Sequence, residues 1–301
     1  MTACYLKLFE SGELAERAEM LKSLLKSCTL CPHKCRVDRT RGERGKCRGG
    51  LSATISSVAP HFGEEPPLVG VHGSGTIFFT CCNLHCIFCQ NYDISHLDDG
   101  TDVKAEILSS HMLSLQKEGC HNINLVTPTH FVPQIIEALE IAVNRGLNLP
   151  IVYNCGGYES LDVIRLLDGI VDIYMPDAKF AEPKIAKELC GVADYFEILK
   201  PVLLEMHRQV GVLQINESGI AEKGLLIRHL VMPGMLQDTR RILEFIAKNI
   251  SPETYVNVMG QYRPCFEADN IGRISKSLDY YEYEEAVKLA KGFGLIRGLK
   301  N

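Results

Sequence analysis

The sequence predicts an α/β fold: a partial (β/α)6 TIM-type barrel behind a small Cys-rich N-terminal metal-binding segment. Three observations carry that reading. From Gly75 onward, short apolar runs alternate with longer amphipathic stretches. The apolar runs are near-continuous, as befits strands of a parallel sheet buried on both faces. Six such units fit a partial barrel better than a closed eight-fold one.

Taken in order, residues Ser11 to Lys26 carry Leu14, Ala18, Leu21 and Leu25 at helical spacing, with Ser11 as a candidate cap. Residues 28–74 are rich in Cys, Gly, Arg and Pro with little periodicity, and read as a loop-rich segment that needs a staple. Strands are expected at Thr76–Thr80, Asn122–Val126, Ile151–Asn154, Ile170–Met175, Leu225–Val231 and Tyr255–Val258. Helices are expected at Ala105–Glu118, Pro133–Arg145, Leu161–Leu167, Thr239–Asn249 and Tyr283–Phe293, with Gly294 past the last. The expected division is 1–74, an N-terminal helix with the cysteine-rich segment, and 75–301, the barrel with a C-terminal helix.

With 46% hydrophobic and 23% charged residues, the chain can bury a sizeable core. A net charge of −5 gives no global reason to expect nucleic acid or a membrane surface as partner. No apolar run reaches the roughly 18 residues of a membrane span. The N-terminus, MTACYLKLFE, lacks the basic start and long apolar core of a signal peptide. A reducing cytoplasm is therefore the expected compartment, and there 13 cysteines read as metal ligands before disulfides.

After the first barrel strand comes CCNLHCIFCQN, in which Cys82, Cys86 and Cys89 make a C-x3-C-x2-C spacing. Barrel chemistry sits at the C-terminal ends of strands, where this loop falls. Three thiolates can hold one corner of a cubane iron–sulfur cluster and leave the fourth iron open, which distinguishes a catalytic centre from a closed one. The alternative is a zinc knuckle or scattered buried thiols. Cys81 would give a four-residue gap to Cys86, so Cys82 is the assigned ligand. Phe88, just before the third cysteine, would lie beside whatever binds the open iron.

The triplet with its preceding aromatic resembles the signature of the radical S-adenosylmethionine (SAM) superfamily. That resemblance implies a [4Fe-4S] cluster that cleaves SAM reductively to a 5′-deoxyadenosyl radical, which abstracts a hydrogen atom from a substrate. Most of residues 75–260 is similar to the pyruvate formate-lyase activating enzyme branch. In YMPDAK, Met175, Asp177 and Lys179 match that branch's residues near SAM, and in IRHLVMPG Arg228 matches a candidate partner for the SAM carboxylate. In YNCGGY, Asn154 stands where the branch has an acidic residue, a departure from its monovalent-cation site. In LVTPTHF, Thr127, Thr129 and His130 replace the usual Gly-Gly-Glu turn that receives the SAM amino group; hydroxyls can still accept from an ammonium. His130 reads as a packing residue, and Cys120, Cys155 and Cys190 as small core residues. Cys265, past the sixth strand, is a candidate hydrogen relay or metal ligand. The Gly-rich run Gly70–Gly75 precedes a strand, the wrong context for a nucleotide loop.

Cys28, Cys31, Cys35 and Cys47 form a second set, C-x2-C-x3-C-x11-C, among Gly42, Gly45 and Gly49. Four thiolates can close a zinc site or hold a second [4Fe-4S] cluster, and spacing does not separate the two. The expected partners are a low-potential donor such as flavodoxin or ferredoxin and, for an activase, a glycyl radical enzyme. The alternatives are radical SAM modification of another protein, RNA or small molecule, and a non-catalytic iron–sulfur or zinc protein.

Overall fold

The apolar runs become the middle of one nine-stranded sheet in the computed structural model, which describes residues 3–299. The outermost two residues of the expected segments 1–74 and 75–301 lie outside the described residues at each end. The strands are β1 (Ala53–His61), β2 (Ser74–Phe79), β3 (Thr101–Val103), β4 (Ile123–Val126), β5 (Ile151–Cys155), β6 (Ile173–Pro176), β7 (Gln214–Ile215), β8 (Ala221–Leu230) and β9 (Tyr255–Met259). They are ordered β3-β1-β2-β4-β5-β6-β8-β7, and β9 pairs with β8. The six strands β2, β4, β5, β6, β8 and β9 run parallel. These are the six expected units of the partial barrel. Every residue of β4, β5 and β6 is buried, which accounts for their near-continuous apolar runs, interrupted by Asn124 and Asn154.

The helices are α1 (Tyr5–Ser11), α2 (Glu13–Ser23), α3 (Pro66–Val69), α4 (Tyr92–His96), α5 (Ala105–Lys117), α6 (Val132–Asn144), α7 (Leu161–Leu166), α8 (Pro183–Cys190), α9 (Tyr195–Val210), α10 (Leu236–Phe245) and α11 (Tyr280–Gly292). Helix α6 buries Ile135, Ile136, Leu139 and Val143 and packs against α2 and α5. The Asp172 carboxylate joins the N-terminus to the barrel, accepting from Cys4 N–H (2.8 Å) and Ile151 N–H (2.9 Å). Among the described residues no helix is long and apolar enough to cross a membrane.

Four expectations need correction. Residues 28–74 are not all loop: β1 pairs antiparallel with β2 and β3, but only Ala53 and Ile55 of its nine residues are buried. Its solvent-facing Ser56 and Ser57 and its Pro60 leave no apolar alternation to detect. Ser11 is not the N-cap residue: it ends α1, its Oγ accepts from Glu13 N–H (3.5 Å), and Gly12 in the left-handed region (φ 84°) turns the chain into α2. Helices α8 and α9 fall outside the expected set: α8 starts on Pro183, and Pro201 sits inside α9 where a proline ordinarily breaks the ladder. The expected Thr239–Asn249 helix starts at Leu236 and ends in a π turn over Ile246–Ile250.

Glu159, just beyond β5, is 2% exposed and accepts from Thr129 Oγ1 (2.7 Å) and Tyr153 OH (3.0 Å). Burial pushes its carboxyl from the ordinary 4.5 up to about 7, against the lowering effect of Thr129, Tyr153 and Cys155. The folded chain therefore holds this proton more tightly than the unfolded one. The stabilisation is fully present below pH 4.5 and is lost as pH rises through about 7. Linkage puts the swing at about 3 kcal/mol. Urea midpoints of the native chain should fall more steeply from pH 4.5 to 7 than those of Glu159→Gln. Identical pH slopes would remove Glu159 as the cause.

Candidate functional site

The C-terminal ends of all six parallel strands open onto one cleft of about 1260 Å³, the open solvent at its mouth included. Its wall takes Phe79 from β2, Val126 from β4, Asn154 and Cys155 from β5, Arg228 and Leu230 from β8 and Met259 from β9, with Asp177 just past β6. Cys82, Cys86, Phe88 and Cys89 line it too, so the loop after β2 delivers its three cysteines into the cleft.

Local backbone geometry decides which thiols arrive there. Cys81 adopts a left-handed φ of 64° and turns its Sγ to Asp98 Oδ1 (3.1 Å), which leaves Cys82 to face inward. Leu84 N–H donates to Cys82 Sγ (3.3 Å), and Ser95 Oγ donates to Cys89 Sγ (3.2 Å). His85 N–H donates to Cys190 O (3.3 Å) and Ile87 N–H to Leu189 O (3.0 Å), clamping the loop around Cys86 to the end of α8. On its other side Glu267 N–H donates to Ile87 O (3.0 Å). Phe88 meets Phe180 edge-on at 5.7 Å between centroids and Tyr262 at 6.5 Å, an aromatic wall beside the thiols. Burial pushes the Cys82 and Cys89 thiols up; contact with Cys190, then burial, does so for Cys86.

Charged groups share the same cleft. Arg228 Nε donates to Asp177 Oδ1 (2.9 Å) and its Nη2 to Asn154 Oδ1 (2.7 Å), while Glu64 Oε2 lies 3.7 Å from Nη1. Lys179 Nζ donates to Asp177 Oδ2 (2.6 Å). Burial alone would raise the Asp177 carboxyl, but Arg228 and Lys179 outweigh it and hold it below the usual carboxylate range. Burial likewise opposes the charge on Lys179, and Asp177 and Cys86 override it, so the ammonium stays protonated. The Arg228 fork is thus already held by protein acceptors instead of waiting open for a ligand carboxylate.

The turn after β4 is split. Thr127 lines the cleft at a left-handed φ of 61°, held by its N–H on Asn154 O (2.8 Å). That conformation is uncommon for a β-branched residue, and a glycine adopts it freely. Thr129 does not reach the cleft; it is buried against Glu159. His130 packs beneath with Nε2 2.8 Å from Thr80 O, its pKa pushed down to about 3 by burial. Cys155 reaches the cleft wall, whereas Cys265 does not line it.

Two contributors had no local signal. Tyr195 on α9 has its hydroxyl 2.8 Å from Gly156 O and 2.7 Å from Asp177 O, and accepts from Lys179 N–H (3.1 Å). Glu64 arrives from the segment ahead of β2. A Cβ on Gly157 (φ 80°) would sit 2.3 Å from Asp177 O, so only glycine fits beside that strand end. Among the described residues no three Cys, His, Asp or Glu side chains converge closely enough to share a single metal ion. A cubane cluster asks for something different, one thiolate on each of three irons.

A family model described as the radical SAM superfamily matches residues 76–246. The chain is 34% identical over 288 residues to the uncharacterized protein MJ0674 of Methanocaldococcus jannaschii, covering 93% of this chain and 78% of the relative. Among solved structures it is similar to Streptococcus suis SuiB bound to precursor peptide SuiA, with TM-score 0.45, 15% identity and 70% of this chain covered. It is also similar to anSMEcpe with bound AdoMet and Cp18Cys peptide, with TM-score 0.47, 11% identity and 76% covered. The chain spans 43% and 58% of those two proteins, less than two thirds of either.

Replacing Asp177 by Ala strands two cations whose side chains are each only 19% exposed. The expected loss of stability is about 2–4 kcal/mol by urea unfolding, discounted for partial solvent access, with a smaller loss for Asp177→Asn. A loss below about 1 kcal/mol for Asp177→Ala would mean that the ion pairs do not organise the cleft.

Proposed function

The chain belongs to the radical SAM superfamily, and from that premise we propose that it is an enzyme whose Cys82, Cys86 and Cys89 hold a [4Fe-4S] cluster beside a SAM site formed by Thr127, Asn154, Asp177, Lys179 and Arg228. The observation that carries this reading is the convergence of three thiols and an ion-paired Asp–Lys–Arg cluster on one cleft at the strand ends. The donors already aimed at Cys82 Sγ and Cys89 Sγ fit thiolate ligands, and the adjoining open volume fits a bound small molecule. When bound, the cluster and SAM supply one-electron cleavage of the sulfonium and removal of a hydrogen atom from substrate.

The chain's own groups do the rest. Lys179 offers a fixed positive charge beside the thiolates, and Asp177 keeps it aimed through a 2.6 Å bond. Asn154 and Asp177 hold Arg228 in place, and any further anion in the cleft meets its remaining donors. Phe88, Phe180 and Tyr262 stand beside the thiols, where a reactive carbon-centred species demands that water be excluded.

The substrate class rests on the pyruvate formate-lyase activating enzyme resemblance. We read the partner as a glycyl radical enzyme whose backbone segment enters the open mouth, with electrons from flavodoxin or ferredoxin in a reducing cytoplasm. A second reading, modification of another protein, RNA or small molecule, is favoured by the altered turn at Thr127.

The test is anaerobic reconstitution with iron and sulfide, reduction, and addition of SAM. The native chain should release 5′-deoxyadenosine and Cys86→Ala none. No deoxyadenosine from a chain that holds a reduced cluster, with cell extract as substrate source, would sink the proposal. A glycyl radical signal on an added partner enzyme selects the first substrate reading over the second.

A further inference from the structure

Cys28, Cys31, Cys35 and Cys47 lie ahead of the superfamily match, which begins at residue 76. All four are free thiols; three are buried and Cys35 is half-buried. The segment folds about them by short-range bonds: Cys28 N–H to Val37 O (3.0 Å), Arg36 N–H to Cys28 O (2.9 Å) and Lys34 N–H to Cys31 O (3.0 Å). Two donors point at sulfur, Lys46 N–H at Cys35 Sγ and Arg39 Nη2 at Cys47 Sγ, both at 3.3 Å.

Arg39 supplies an independent sign of a missing anion. It is 2% exposed and its Nε has no partner among the described residues. A buried guanidinium without a carboxylate is costly unless some other negative charge faces it. Thiolates on a cluster would provide that charge.

The backbone carries the same message. Lys34, Arg36 and Arg48 hold left-handed φ values of 43°, 57° and 62°. Such a non-glycine residue is strained, and persists only where something over-determines it. Gly45 approaches Cys35 so closely that a Cβ would lie 2.9 Å from its sulfur. With no disulfide to staple this segment, metal–thiolate bonds are the available compensation.

The class of metal rests on the cluster reading of Cys82, Cys86 and Cys89, to whose loop this segment is bonded. A single zinc needs its sulfurs about 2.3 Å from one point. A cluster takes each thiolate on a separate iron, so its four sulfurs need not share one point. The segment is also bonded to the neighbours of each cleft cysteine. His33 Nε2 is 2.7 Å from Asn83 O, beside Cys82, and His85 Nε2 is 3.2 Å from Lys46 O, beside Cys86. Arg48 donates to Ser95 O (3.0 Å), and the Ser95 hydroxyl donates to Cys89 Sγ.

We infer that Cys28, Cys31, Cys35 and Cys47 hold a second, fully ligated [4Fe-4S] cluster packed against the loop of the first. The assignment of metal here does not depend on SAM chemistry, and its test does not either. The anaerobically reconstituted full-length chain is assayed for iron, sulfide and zinc, with spins counted by electron paramagnetic resonance after dithionite reduction. About eight irons and two spins are expected in the native chain, and about four irons in the Cys82/Cys86/Cys89→Ala variant. A Cys28→Ala/Cys31→Ala variant should also keep about four, with circular dichroism reporting whether each variant folds. If a variant unfolds, the spin count of the native chain decides alone. One zinc and no iron in the Cys82/Cys86/Cys89→Ala variant, or about four irons and one spin in the native chain, overturns the inference. Absence of deoxyadenosine would sink the proposed function and leave these counts untouched.

Discussion

The ion pair between Asp177 and Arg228 is the constraint on which the cleft depends. Asp177 follows β6, Arg228 sits within β8, and their backbones also bridge. Through Asn154 the same guanidinium reaches β5, so three neighbouring strands end in one hydrogen-bonded cluster. Two cations and two carboxylates, Asp177 and Glu64, offset one another in surroundings that would otherwise penalise each. A hydrophobic substitute of equal volume would hold the strands together as well. What it would not do is fix an ammonium beside Cys86, where a thiolate-bound centre needs opposing charge.

The cysteine loop obeys a different logic. It has no regular structure of its own, and its shape comes from neighbours: the end of α8 on one side and the segment after β9 on the other. The N-terminal cysteine segment adds a third support through His33, Lys46 and Arg48. A site that must hold its ligands closely while staying open at one face gains from support outside the loop.

Legibility followed the range of the physics. Of the parallel strands, β4, β5 and β6 were readable because both faces are buried and most positions are apolar. The cysteine triplet was readable because its spacing is local. Strand β1 was hidden because most of it faces solvent, and α9 because Pro201 mimics a stop signal. The choice between Thr127 and Thr129 was beyond local pattern: a left-handed φ at Thr127 sends the two hydroxyls to different places. Tyr195 and Glu64 were invisible for a related reason, since each acts on a strand end distant in sequence. Arg228 was found, yet its engagement by Asn154 and Asp177 emerges only in three dimensions.

The most direct test of the central claim is the electron paramagnetic resonance spectrum of the reduced, reconstituted chain before and after SAM is added. The account requires SAM to bind beside the cluster on Cys82, Cys86 and Cys89, so the g-values of one cluster signal should shift, and no such shift should appear in the Cys86→Ala variant. An unchanged spectrum at saturating SAM, from a chain with its reduced cluster intact, would contradict the placement of SAM chemistry in this cleft.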